Sequence, residues 1–223
     1  MRVAGVAALI VGLGVMGTPS ASAAPVGCGA LGGAVVDGSC RVTATTADYT
    51  LDVTFPLDYP DEQAVVDYLS QTKAGFINVA EIPETRNRPY EMDVTAQSFR
   101  SARTRSVVLT LFQDTGGAHP TTWYRSFTYD LNAERQLSFE DLFAPEAEPL
   151  HAIFPLVRRS LESQTGLAGA VSTSAGLDPS HYQNFAITDD AVIFFFGRAE
   201  LLPSYAGATS VSVPRTAIPA LEI

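Results

Sequence analysis

With 223 residues, 46% of them hydrophobic, the chain is long enough to bury a substantial core as one domain. Its formal net charge of −10 argues against nucleic acid and against passive adhesion to anionic membranes, because both present negative charge. Two cysteines and three histidines, none of the latter at a metal-ligand spacing, point to no metal site and no cofactor.

The first predicted element is a leader. Arg2 precedes an apolar run from Val3 to Met16, Thr18-Pro19-Ser20 breaks it, and Ala21-Ser22-Ala23 supplies small residues for cleavage. That is the layout of a secretory signal peptide over residues 1–23. The run is too short for a spanning helix, which needs about 20 apolar residues. Loss of Arg2, the only charged residue in it, would take the charge from −10 to −11. Gly12, Gly14 and Gly17 fit the G-x-G-x-x-G spacing, but no strand–helix context surrounds them, so a nucleotide reading fails. A lipoprotein signal ending at Cys28 is disfavoured by Pro25 and would leave Cys40 unpaired. The exported context instead favours one disulfide between Cys28 and Cys40, closing a loop worth roughly 3 kcal/mol on the chain-entropy model. Residues 24–223 are then expected to be a secreted or envelope-associated domain with no transmembrane segment.

Along that domain, residues 41–46 and 49–55 alternate as strands, with Tyr49, Leu51, Val53 and Phe55 on one face. Asp61 is placed to cap a helix whose apolar stripe is Val65, Leu69, Thr72, Phe76 and Ala80, stopped by Pro83. Tyr90, Met92, Val94 and Ala96 begin another strand, and Ser106 to Phe112 the next. The Gly116-Gly117 pair supplies positive φ for a reversal into a long strand from Thr121 to Leu131. Residues 132–136 form a polar turn. Ser138-x-x-Asp141 resembles a capping box over a short helical turn. Leu150, Ile153, Val157 and Leu161 recur at helical spacing, with Pro155 expected to kink that helix or to mark its start. Residues 166–176 form a small-residue, mobile loop. Strands at 185–188, 191–196 and 209–213 finish the chain. Val192, Phe194 and Phe196 should face one way, under helices, and Ile193 and Phe195 the other, under a long loop. The layout is α+β: a mainly antiparallel sheet with two amphipathic helices packed on it, in a single domain.

Two blocks carry a resemblance. One is Val107 to Gln113, the Gly116 to Thr122 turn and Phe127 to Asp130. The other joins Ala175 to Pro179, Tyr182 to Ala186, Val192 to Phe196, Glu200 to Pro203, Ala206-Gly207 and Val213 to Arg215. With the cysteine pair and Tyr59-Pro60-Asp61, they resemble the mycobacterial secreted immunogenic-protein antigens, whose C-terminal module is shared with the extracellular sensor of the RsiV anti-sigma factor. The resemblance implies secretion and an α+β fold. For function it implies several things at once: RsiV-like members bind a protein ligand, lysozyme; other relatives are esterases; several are known as antigens. RsiV spans a membrane and has a cytoplasmic tail. This chain shows neither after cleavage at Ala23, so signalling in cis is not expected.

Two chemistries follow. A hydrolase needs a nucleophile beside a base and an oxyanion site. The G-x-S-x-G form is absent, leaving His119 or His181 with Asp114, Asp130 or Asp178 as candidate partners for an unidentified serine. His151, in the first turn of the second helix, reads as a solvated residue. A binding module would use Gly116, Gly117, His119 and Pro120 in the turn, together with Tyr205 in the irregular apolar segment 200–207. The partner would be a protein or cell-envelope ligand. Turn chemistry alone also accounts for His119, which can pin the hairpin.

Overall fold

Alternating side chains build the first sheet. The computed structural model describes residues 26–83 and 86–223, so the leader expected at 1–23 lies outside the described residues. Among these, β1 (Ala34–Val36), β2 (Ser39–Thr45), β3 (Tyr49–Pro56), β4 (Tyr90–Arg100), β5 (Thr104–Asp114), β6 (Thr121–Asp130) and β7 (Arg135–Gln136) lie side by side in chain order. Only β3 and β4 pair in parallel. A parallel pair requires a crossover, and α2 (Glu62–Ala80) supplies it. Asp61 caps α2 by accepting from the Ala64 N–H. Val65, Val66, Leu69, Phe76 and Ala80 are buried against Leu51, Val53, Phe55, Met92, Val94, Leu109 and Leu111. Thr72, expected in the stripe, is half-buried and donates to the Tyr68 carbonyl. Cys28, on the short helix α1 (Val26–Ala30), is bonded to Cys40 on β2 with a Cα–Cα distance of 5.4 Å.

The C-terminal third forms a second sheet, in which β8 (Phe185–Ile187), β9 (Ala191–Phe196) and β10 (Thr209–Pro214) pair antiparallel in the order β10-β9-β8. α3 (Leu150–Thr165) covers it, burying Ile153, Phe154, Val157 and Leu161 with Phe194, Phe196, Val211 and Val213. Pro155 lies inside this helix, so of the two sequence readings the interior position holds.

Ile193 and Phe195 point the other way, and there the expectation of a covering loop is corrected. They face the large sheet, with Phe195 and Ala186 packed on Val108 and flanked by Phe99 and Tyr124. The fold is therefore α+β in four layers: α2, large sheet, small sheet, α3. Each helix has its own sheet. Residues 166–176, expected as loop throughout, end in α4 (Thr173–Gly176), capped by the Ser172 hydroxyl and burying Gly176. The Ser138 motif is a half-box: the Asp141 carboxylate accepts from the Ser138 N–H and from its hydroxyl, both at 2.7 Å. Among the described residues no helix is long and apolar enough to cross a membrane.

The seam between the sheets is polar at one line. β8 is an edge strand of the small sheet, and an edge leaves N–H and C=O groups unpaired. Hydroxyls from the large sheet satisfy three of them. Ser126 Oγ accepts from the Phe185 N–H at 2.9 Å, Thr128 Oγ1 donates to the Phe185 carbonyl at 2.9 Å, and Ser106 Oγ accepts from the Ile187 N–H at 3.4 Å.

Candidate functional site

The β5–β6 reversal is fixed at its base. Gly116 has φ of 69° and donates its N–H to Asp114 Oδ1, while its carbonyl accepts from Asn87 Nδ2. A Cβ there would lie 2.8 Å from Tyr90 and 2.9 Å from the Arg86 carbonyl, so glycine is required. Gly117 does not share the positive φ, which corrects the expectation for the pair. Gly117, Ala118, His119 and Pro120 are exposed.

The segment after β9 runs back along this hairpin. Gly197 is buried so closely that a Cβ would meet the Trp123 Cα at 3.3 Å. Arg198 then joins the two loops: its N–H donates to the Thr122 carbonyl and Nη1 to the Pro120 carbonyl, both at 2.8 Å, while Nε donates to the Ser204 carbonyl at 2.9 Å. The turn and the 200–207 segment, singled out separately in the sequence, are thus neighbours. Tyr205 stands 75% exposed beside them.

Glu200 anchors the segment from below. Its Oε2 accepts from the Gly197 N–H at 2.6 Å, and its Oε1 lies 3.6 Å from His181 Nδ1, within ion-pair range but beyond a hydrogen bond. His181 sits on the 3₁₀ turn Pro179–Tyr182, which Asp178 caps by accepting from the Ser180 N–H. Burial is the largest influence on Glu200 and raises its pKa, with the Gly197 N–H and His181 pulling the other way. Asp178 is held below the usual carboxylate range by Ser180.

A pH effect follows from the sign at Glu200. A carboxyl whose folded pKa is raised contributes stability fully below its unfolded value, about 4.3, and loses it as pH rises through the folded value. Glu200→Gln keeps an acceptor for Gly197 and removes the ionisation. Thermal melts from pH 4 to 7 should show the wild type losing stability relative to this variant. Parallel melting curves would rule the linkage out.

The candidate hydrolytic partners are not brought together. Asp114 and Asp178 serve the backbone of their own turns, and Asp130 accepts from the Asn132 and Ala133 N–H groups. Among the described residues no hydrogen bond joins a histidine to a serine, and no ion pair joins His119 or His181 to these aspartates. The acid beside His181 is Glu200. His151 is exposed, 3.8 Å from Glu148. No motif singles out Arg198, and Glu200 stands out only as part of the 200–207 segment. The charges of Arg198 and Glu200, flanking Ala199 in an otherwise apolar segment between two strands, are the signal the sequence carries.

Comparison with known proteins gives three findings. Residues 140–216 match the family described as "Protein of unknown function (DUF3298)". The chain is 50% identical over 221 residues to "Esterase Rv3036c" of Mycobacterium tuberculosis, covering 97% of each, and 39% identical over 203 residues to the immunogenic proteins MPB64 of Mycobacterium bovis and MPT64 of M. tuberculosis, covering 89% of each. The structure resembles that of a DUF3298 family protein from Pseudomonas aeruginosa PAO1 with a TM-score of 0.57 at 14% identity, covering 82% of this chain and 94% of that one, a likeness of fold alone.

Proposed function

Since the chain belongs to the family of the mycobacterial immunogenic proteins MPT64 and MPB64, we propose that it is an exported binding protein. It contacts a protein or cell-envelope ligand through the surface made by residues 116–120 and 198–207. The observation that carries this reading is the Arg198 clamp. It holds two loops rigid with respect to each other while leaving His119 and Tyr205 in solvent. A tyrosine on a rigid support loses little side-chain entropy on docking, which is why aromatic residues concentrate the energy of binding surfaces.

The test is sedimentation of the purified domain with mycobacterial cell-wall fractions. The His119→Ala, Tyr205→Ala double variant should lower the bound fraction more than fivefold with an unchanged melting temperature. Equal binding by the two proteins would sink the reading.

A second reading is favoured by the 50% identical relative, which is named an esterase: ester hydrolysis, with His181 and Glu200 as the base and its orienting acid. It predicts labelling by a fluorophosphonate and turnover of p-nitrophenyl butyrate, both lost in His181→Gln and in one Ser→Ala variant. Absence of both signals removes it.

A further inference from the structure

Away from the loop surface, a cleft of about 370 Å³ opens on the seam between the two cores. Its walls come from α2 (Ala64), β6 (Arg125, Ser126, Phe127), the β7 region (Gln136, Leu137, Ser138), Asp141 and Gln183. Most of the polar groups there are already engaged. Gln136 accepts from the Tyr59 hydroxyl and donates to Asp61, Gln183 Nε2 donates to Glu140 and to the Pro179 carbonyl, and Asp141 accepts from Ser138 and Arg135. Arg125 is different. Its guanidinium packs over the rings of Tyr68 and Phe127, 5.4 and 5.2 Å from their centroids. Among the described residues no carboxylate lies within 4 Å of it and its N–H groups make no hydrogen bond. Arg125 is exposed, and stacked on the two rings it keeps its fork of donors open to solvent, the geometry that suits a carboxylate.

Next to this cleft lies an apolar groove of about 370 Å³, lined by Phe139, Phe143, Ala144, Pro145, Pro149 and Pro179, with Glu140 at its side. One polar pair stands between them. Gln183 faces the cleft, Glu140 faces the groove, and the two side chains are hydrogen-bonded at 2.9 Å. A cation on one side of that pair and an apolar trough on the other are complementary to an anionic head whose hydrocarbon tail crosses it.

We propose that this seam binds a long-chain carboxylate, its head group on Arg125 and its acyl chain along the groove of Phe139, Phe143 and the three prolines. Nothing in this depends on the loop surface or on hydrolysis. The protein brings its own reporter. Trp123, the chain's one tryptophan, donates its indole N–H to the Tyr68 hydroxyl at 2.9 Å, and Tyr68 lies under Arg125.

Trp123 emission is therefore titrated with acetate, octanoate and palmitate below their micellar concentrations. Palmitate should shift the emission saturably, acetate should not, and octanoate should bind more weakly, because each buried methylene contributes about fourfold in affinity. Arg125→Gln should weaken palmitate binding at least tenfold, and Arg125→Lys, which keeps the charge without the fork, by less. Ala144→Glu, which sets a charge in the groove, should also weaken it tenfold; melting curves check that each variant is folded. An unshifted emission with palmitate would overturn the proposal, as would wild-type affinity in Arg125→Gln or in Ala144→Glu. Equal binding of dodecyltrimethylammonium, which has a tail and the opposite charge, would overturn it too.

Discussion

Phe194→Ala is expected to cost about 3–5 kcal/mol, the range for deleting a buried aromatic ring from a packed core. At roughly 2–4 °C per kcal/mol for a domain of this size, the melting temperature should fall by about 10 °C. Phe194 is fully buried in β9, with its ring 5.2 Å from that of Tyr182 and 6.0 Å from that of Phe139. Tyr182 in turn spends its hydroxyl on the Gly176 carbonyl at 2.8 Å, and burial pushes its phenol pKa up. The cavity has little means of closing. Gly176 already lies so close to Phe154 that a Cβ would overlap its ring at 1.9 Å. Melting followed by far-ultraviolet circular dichroism and by Trp123 emission reads the small and large sheets together. A loss under about 1 kcal/mol would mean that the small-sheet core repacks freely, and the rigid four-layer description would fail.

The second large effect is expected at the disulfide. Cys28→Ala with Cys40→Ala should cost about 3 kcal/mol, since the bond closes a short loop, and more if the buried cysteine sites do not collapse. The bond does more than close a loop. It fastens α1 to β2, while Lys73 of α2 donates to the Leu31 carbonyl just beyond α1. Both sulfurs are buried, so the whole amino-terminal corner is held from two sides. Chemical denaturation with and without a reductant, beside the double variant, measures the contribution. Coincident midpoints for oxidised and reduced protein would show that the corner is held by packing alone.

Much of the large sheet was legible because its strands bury one face only. Tyr49, Leu51, Val53 and Phe55 alternate with half-exposed residues, and Asp61 announces α2 by a local hydrogen bond that needs no tertiary partner. The small sheet was harder. Val192 to Phe196 is apolar on both faces, and the same letters serve whether a loop or another sheet covers Ile193 and Phe195. Nor do Ser106 and Thr128 announce a seam, since a hydroxyl facing water and one sealing a buried strand edge read alike. At the candidate site, the two loops could be named but not joined. The Arg198 bond to the Pro120 carbonyl spans 78 residues, and no local pattern encodes a contact of that separation. The same holds for His181, whose carboxylate neighbour proved to be Glu200 rather than an aspartate of its own turn.

The strands of the large sheet follow one another in space as they do along the chain, and the residues matching the DUF3298 family begin only after the last of them. Each strand pairs with its neighbour in sequence, so the large sheet can settle before the final third of the chain docks on it. The late strands then have a finished bed to land on, and the serine and threonine hydroxyls of that bed set the register of the first to arrive.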